Sequence, residues 1–226
     1  MKGKETFAVL GLSLFGRRTA VGLAEAGASI IAVDSNGGKV QKIAHQVADA
    51  VRADVMDWEA LEHVGVFDVD TVVIGLRTSF EAAVLLTNHL RKETRVKRII
   101  VQVDSEEKAE VLRLVGADQV VFPARDSADR LVRRLVMPGL VEHVSLSPDA
   151  AIIEVIVPES FVGKTMVELM IRSKHKVNVV GVKRGGADEG PGRMVVAPPA
   201  HTRFREGDSL LLVGRVEDLD RFASLK

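Results

Sequence analysis

Near the start of the chain, Gly11-Leu12-Ser13-Leu14-Phe15-Gly16 carries a spacing able to hold a phosphate. It follows a β-branched run and opens a helical pattern. The first glycine then permits a tight turn, the last lets helix and strand pack closely, and the helix start turns its free N–H groups toward an anion. The middle position, where glycine would let a pyrophosphate approach the backbone, is Ser13, whose Cβ narrows that space. Asp34 closes the next strand pattern 23 residues after Gly11, near the spacing of a carboxylate that bonds ribose hydroxyls. These residues form a dinucleotide-binding layout with one substitution. The substitution leaves open a domain that keeps the fold and has lost the ligand, because fold does not imply function.

Other chemistries find less support. Gly11-Leu12-Ser13-Leu14-Phe15 is a near miss to the Gly-x-Ser-x-Gly nucleophile elbow, failing at Phe15. The six histidines, His45, His63, His89, His143, His175 and His201, fall into no metal-ligand spacing. Trp58 and the eight phenylalanines have no basic interleaving, which argues against a nucleic-acid platform. Arg130, Arg133 and Arg134 share their helix pattern with Asp126 and Asp129, as on a solvated or interface face. The absence of cysteine excludes disulfides, thiolate catalysis and Cys-ligated metals. With no catalytic residue or metal set assembled, a binding module is favoured over an enzyme. An NAD(P)-dependent oxidoreductase, the runner-up, would need a substrate acid or base after Ala151.

The elements that must position these residues follow from periodicity. The chain has 226 residues, 46% hydrophobic and 27% charged, room for a larger domain and a small companion. Lys plus Arg and Asp plus Glu are 31 each, so no net field draws nucleic acid or an anionic membrane. No apolar stretch approaches the roughly 20 residues that span a bilayer, and no signal segment is read at the N-terminus. Strands are predicted at Thr6–Leu10, Ser29–Val33, Gln46–Val51, Thr71–Gly75, Arg98–Val103 and Gln119–Phe122. Helices are predicted at Gly16–Glu25, Gly38–Ala44, Trp58–His63, Ser79–Lys92, Glu106–Val115 and Asp126–Leu135, with Ser79 and Asp126 as N-caps. This alternation is that of an α/β, doubly wound parallel sheet of Rossmann type. It breaks at Pro138-Gly139 and again at Ser147-Pro148. The domains expected are 1–136, a linker at 137–148 and a small α+β domain at 149–226. The latter has strands at Ala151–Val157, Val177–Lys183, Met194–Ala197 and Ser209–Val213, a helix at Thr165–Arg172 and a Gly-rich loop at Arg184–Arg193.

Several stretches resemble the RCK (regulator of K+ conductance) family, the cytosolic subunits of Ktr- and Trk-type potassium transporters. In the first domain they are Phe7 to Gly16, Ala32-Val33-Asp34, Leu61 to Gly65, Asp68 to Gly75 and Gly116-Ala117-Asp118-Gln119-Val120-Val121-Phe122-Pro123-Ala124-Arg125-Asp126. In the second they are Ile171 to Lys183 and Arg205-Glu206-Gly207-Asp208-Ser209-Leu210-Leu211-Leu212-Val213-Gly214. The resemblance covers nearly the whole chain. It implies a homodimer assembling to an octameric ring beneath a membrane potassium channel subunit of the KtrB or TrkH kind, and so a cytoplasmic protein peripheral to the membrane. It also implies a ring that changes shape as ADP, ATP or NAD(H) binds, with no part for nucleic acid. Carried over by position, the nucleotide contacts are Gly11, Leu12, Ser13, Leu14, Phe15, Asp34, Ser35, Asn36, Lys39, Asp54, Val55, Gly75, Leu76 and Gln102. Many relatives bind cyclic di-AMP in the second domain, for which Ile171, Arg172, His175, Asn178 and Pro198 are the candidates. Ser13 stands for the family's middle glycine, Leu14 for an arginine near the terminal phosphate, and Ala124 for a glutamate that helps hold a divalent cation. Arg17, Arg18 and Arg125 are near enough in sequence to substitute for the lost charge. A subunit that has lost nucleotide sensing and responds through its second domain is a further reading.

Overall fold

The structure is a computed structural model that describes residues 5–76, 79–136, 139–185 and 194–225. Pro138 and most of the Gly-rich loop read at 184–193 lie outside the described residues. Two compact units, residues 1–126 and 127–226, make up the chain.

In the first unit the order is β1 (Thr6–Leu10), α1 (Leu14–Glu25), β2 (Ser29–Asp34), α2 (Gly37–Gln41), β3 (Asp49–Arg52) and α3 (Trp58–His63). It continues through β4 (Thr71–Ile74), α4 (Phe80–Glu93), β5 (Arg98–Gln102), α5 (Glu106–Val115) and β6 (Gln119–Val121). All neighbouring strands pair in parallel, in the order β3-β2-β1-β4-β5-β6. The two-residue side-chain period of β1 decides the packing: Ala8 and Leu10 face a core with Val72, Ile74, Leu86 and Ile99, while Val9 faces Ala20, Ile30, Ala32 and Val73. With both faces covered, β4 is buried throughout, which is why Val72 to Ile74 reads as an unbroken apolar run.

Caps set the helix starts. The side chains of Ser79, Ser105 and Asp57 accept N–H bonds from Ala82, Lys108 and Ala60. Asp126 does not cap its helix, as the sequence reading had it: α6 (Pro123–Val136) begins three residues earlier. Proline has no N–H to lose at a first helical position, and Asp126 then favours the positive end of the helix from within its first turn.

Asp70, just before β4, clips the sheet at its other end. Its Oδ2 accepts the Thr6 N–H at 3.0 Å and the Thr6 hydroxyl at 3.1 Å, and its Oδ1 pairs with Lys97 Nζ at 2.6 Å. The Lys97 ammonium first, and then the Thr6 donors, hold its carboxyl down at about 2. A depressed folded pKa means that the clip contributes fully above the ordinary value of 3.8 and is lost as pH falls through about 2. Acid unfolding followed by circular dichroism is therefore expected to show a stability gap between wild type and Asp70→Asn that is constant above pH 4 and closes toward pH 2.

The second unit holds β7 (Leu140–Ser145), β8 (Ala150–Ile156), α7 (Met166–Leu169), α8 (Ile171–His175), β9 (Asn178–Lys183), β10 (Met194–Val196), β11 (Ser209–Arg215) and α9 (Val216–Ala223). Its antiparallel sheet has the order β10-β9-β11-β8-β7. Leu210, Leu212, Leu219, Phe204 and Phe222 fill the core. Three differences from the sequence reading have physical causes. The segment read as a linker at 137–148 contains β7, in which Glu142, His143 and Ser145 mask the strand signal of Leu140, Val141 and Val144. The expected helix from Thr165 to Arg172 is two helices, because Met170 adopts a left-handed conformation with φ 47°. Helix α9 was not foreseen, since it follows β11 with no turn residue between.

Candidate functional site

The strand order reverses between β1 and β4, and in parallel sheets the crevice at the C-terminal ends of such strands is where ligands bind. Three glycines close its floor. Gly11 has φ +92°, and a Cβ there would lie 2.8 Å from Leu76 Cδ2. A Cβ on Gly16 would stand 2.0 Å from the Gly11 carbonyl oxygen, and one on Gly75 would stand 2.8 Å from the same atom. Turn, helix and the neighbouring strand end therefore touch backbone to backbone.

Ser13 is the N-cap of α1. Its Oγ accepts the Gly16 N–H at 3.4 Å and lies 3.5 Å from Gln102 Oε1, to which its hydroxyl donates. The serine thus takes one of the N–H groups that would otherwise face an anion, and it bridges β1 to β5 across the crevice. Among the described residues its partners are Gly16 and Gln102, which gives it a capping task. Leu14, in the first turn, is 71% exposed and supplies only hydrocarbon. Leu12 and Phe15 turn their side chains into the core beside α1.

Asp34 is 6% exposed at the end of β2. Oδ2 accepts the Leu12 N–H at 2.7 Å and pairs with Lys39 Nζ at 2.9 Å, and Oδ1 accepts the Asn36 N–H at 2.9 Å. Burial opposes its charge, but the Asn36 N–H, the Lys39 ammonium and the Leu12 N–H outweigh burial and hold the carboxyl below its ordinary value. Asn36 caps α2 through the Gly38 and Lys39 N–H groups, and the Ser35 carbonyl accepts from Arg52 Nε at 3.2 Å. Asp54 follows β3 at the same sheet end and accepts the Met56 N–H, while Val55 gives its side chain to the core.

Across the switch point, Leu76 and Gln102 line a cavity of about 190 Å³ with Phe80, Ala83, Val103, Asp104, Lys108, Pro123 and Ala124. Phe80, Asp104 and Lys108 were missed in the sequence, although each follows a strand whose C-terminal end must share this edge. Lys108 pairs with Asp104 at 2.7 Å and lies 5.7 Å from the Phe80 ring centroid. Arg125 is committed locally: it pairs with Glu106 and stacks 3.7 Å over Phe122.

In the second unit a concavity of about 640 Å³ is lined by Met166, Val167, Met170, Ile171, Arg172, Ser173, Val177, Asn178, Val179 and Ala200. Three of the sequence candidates, Ile171, Arg172 and Asn178, meet there. His175 does not. It packs against Phe161 and Phe222, with ring centroids 5.8 and 5.3 Å away, and burial, then the charge of Lys174, lowers its pKa. Pro198 is buried outside the lining.

A doubly wound domain with a glycine-floored crevice and a buried strand-end carboxylate, joined to a small antiparallel domain, places the chain in the class of two-domain proteins built on a Rossmann-type fold. Comparison with known proteins carries this to a family. Residues 7–123 match the TrkA-N domain and residues 151–226 the TrkA-C domain, and the chain belongs to the family that joins these two domains. It is 32% identical to Ktr system potassium uptake protein C of Bacillus subtilis (strain 168), over 97% of this chain and 96% of that protein. It is 30% identical to Ktr system potassium uptake protein A of Vibrio alginolyticus, over 96% of each. Among solved structures, the GsuK channel bound to NAD shares the fold, with a TM-score of 0.55 and 21% identity over 97% of this chain. The chain spans 38% of that channel.

Proposed function

We propose that this chain is the cytosolic regulatory subunit of a potassium uptake system and gates a membrane channel subunit according to the nucleotide in its first-domain crevice. The observation that carries the reading is the intact crevice floor and strand-end carboxylate in a chain that matches potassium uptake proteins over nearly its full length. Among the described residues no helix is long and apolar enough to cross a membrane, and in this reading the pore belongs to the membrane subunit. A ligand moves a gate only through a difference in affinity for two conformations, which asks for a binding site and a second copy, not a catalytic group. A homodimer, assembled to an octameric ring at the inner face of the membrane, is the form in which the subunit acts. The test is growth at low potassium of an uptake-deficient bacterium carrying a Ktr-type membrane subunit with and without this chain. Growth only with both is expected; growth independent of this chain contradicts the reading. Light scattering should show no monomer at micromolar concentration, and a strictly monomeric mass removes the ring.

The ligand best suited to the crevice is ADP or a dinucleotide rather than ATP. Distinguishing ATP needs a charge or a bridging cation at the terminal phosphate. Leu14 and Ala124 supply neither, and Arg125 is held by Glu106 and Phe122. The cavity beside Gln102 offers mostly apolar wall, suited to the second ring of a dinucleotide such as NAD(H). GsuK, which shares the fold, is known in complexes with NAD and with ADP. In the second domain, the concavity around Ile171, Arg172 and Asn178 has the size and the cationic and amide groups for cyclic di-AMP, closed by a second copy.

A further inference from the structure

A strand-end carboxylate in this fold takes the ribose 2′-hydroxyl, and its two oxygens have the capacity for both ribose hydroxyls. The donors already on Asp34 do not leave room for that. A carboxylate offers about four acceptor positions, two on each oxygen. Oδ2 is filled by the Leu12 N–H at 2.7 Å and Lys39 Nζ at 2.9 Å, whereas Oδ1 takes only the Asn36 N–H at 2.9 Å. One position, on Oδ1, has no donor among the described residues.

The three donors differ in what would release them. Those from Leu12 and Asn36 are backbone groups of the turns after β1 and β2, fixed as long as those turns stand. Lys39 is the exchangeable one: its side chain is 44% exposed, against 7% for the carboxylate it grips. Yet a hydroxyl is a poor replacement. A hydroxyl can donate to the carboxylate but brings no opposite charge, so exchanging the ammonium for it would leave a buried charge with weaker compensation. The Lys39 backbone is also held in place, because Asn36 Oδ1 accepts its N–H at 3.3 Å and Val40, the next residue, is buried.

We infer that Lys39 is the specificity-determining residue of the crevice: by keeping Oδ2 of Asp34 it restricts the carboxylate to one ribose hydroxyl. Nucleotides that lack the other hydroxyl are then accepted nearly as well as the parent. The inference rests on the nucleotide reading above and assigns how that site reads the sugar.

Calorimetric titration of the full chain with ADP, 2′-deoxy-ADP and 3′-deoxy-ADP tests it in wild type, Lys39→Met, Lys39→Gln and Lys39→Arg. Affinity ratios are the readout, because loss of a cation weakens every anionic ligand alike. Wild type and Lys39→Arg are expected to bind ADP and one of the two analogues within about threefold, while Lys39→Met and Lys39→Gln prefer ADP over each analogue by about tenfold. A wild type that already prefers ADP over both by tenfold, or ratios unchanged in the neutral variants, overturns the assignment and leaves the nucleotide reading standing. Failure of wild type to bind ADP at all overturns that reading and the assignment together.

Discussion

Replacing Gly16 by alanine is expected to cost about 4 kcal/mol or more, the range reached by substitutions that force backbone apart. The added Cβ would stand 2.0 Å from the Gly11 carbonyl oxygen and 3.2 Å from its carbon, and neither atom can rotate away as a side chain could. Relief requires α1 to lift from the β1 turn, which also moves the Gly75 backbone packed on the same oxygen. The melting temperature of the first unit should fall by about 10 °C or more. Gly22, on the same helix, is the internal control. A Cβ there meets nothing within 4 Å, so Gly22→Ala should gain about 0.5–1 kcal/mol from helix propensity and a less flexible unfolded chain. Equal melting of the two variants in differential scanning calorimetry would contradict the packing described for the crevice floor.

Asp34→Ala is expected to act twice. In the folded protein it leaves the Leu12 N–H without an acceptor in a buried turn and Lys39 without its partner, at about 2 kcal/mol of stability. The sign with pH follows from the lowered carboxyl: the wild-type advantage should be full at neutral pH and decline once pH falls below the ordinary 3.8. Toward ligand, the variant loses the acceptor for the ribose and the placement of the first turn, and ADP affinity should fall about thirtyfold, roughly 2 kcal/mol. Melting curves from pH 3 to 7 and titration with ADP read the two effects separately. An unchanged ADP affinity would show that the carboxylate faces no ribose.

Much of the first domain is legible because its signals are local. The β1–turn–α1 glycines, the strand-end Asp34 and the cap Ser79 each act within a few residues, and α3 and α5 fall where the periodicity puts them. Less of the site is legible, because a parallel sheet gathers residues distant in sequence. The contact between Ser13 and Gln102 spans 89 positions, and Phe80, Asp104 and Lys108 join the cavity only once β4 and β5 lie side by side. The ion pair of Lys39 with Asp34 is five residues apart, yet nothing in the spacing says which carboxylate oxygen it takes. In the second domain, His175 was a candidate through the family resemblance alone, and no local pattern says that the fold packs it against Phe161 and Phe222. The strand β7 was hidden by Glu142, His143 and Ser145, whose polarity fits the edge of a sheet as well as it fits a linker.

The central claim, a nucleotide crevice that does not read the terminal phosphate, is tested most directly by calorimetric titration of the full chain with ADP and with ATP, each with and without magnesium. If the terminal phosphate lies beside Leu14 and Ala124, as proposed above, neither supplies charge or a cation ligand, so both nucleotides should bind with affinities within about tenfold, roughly 1.4 kcal/mol, and magnesium should change the ratio little. Binding of ATP far more tightly than ADP in the presence of magnesium, or of neither nucleotide, would contradict the account.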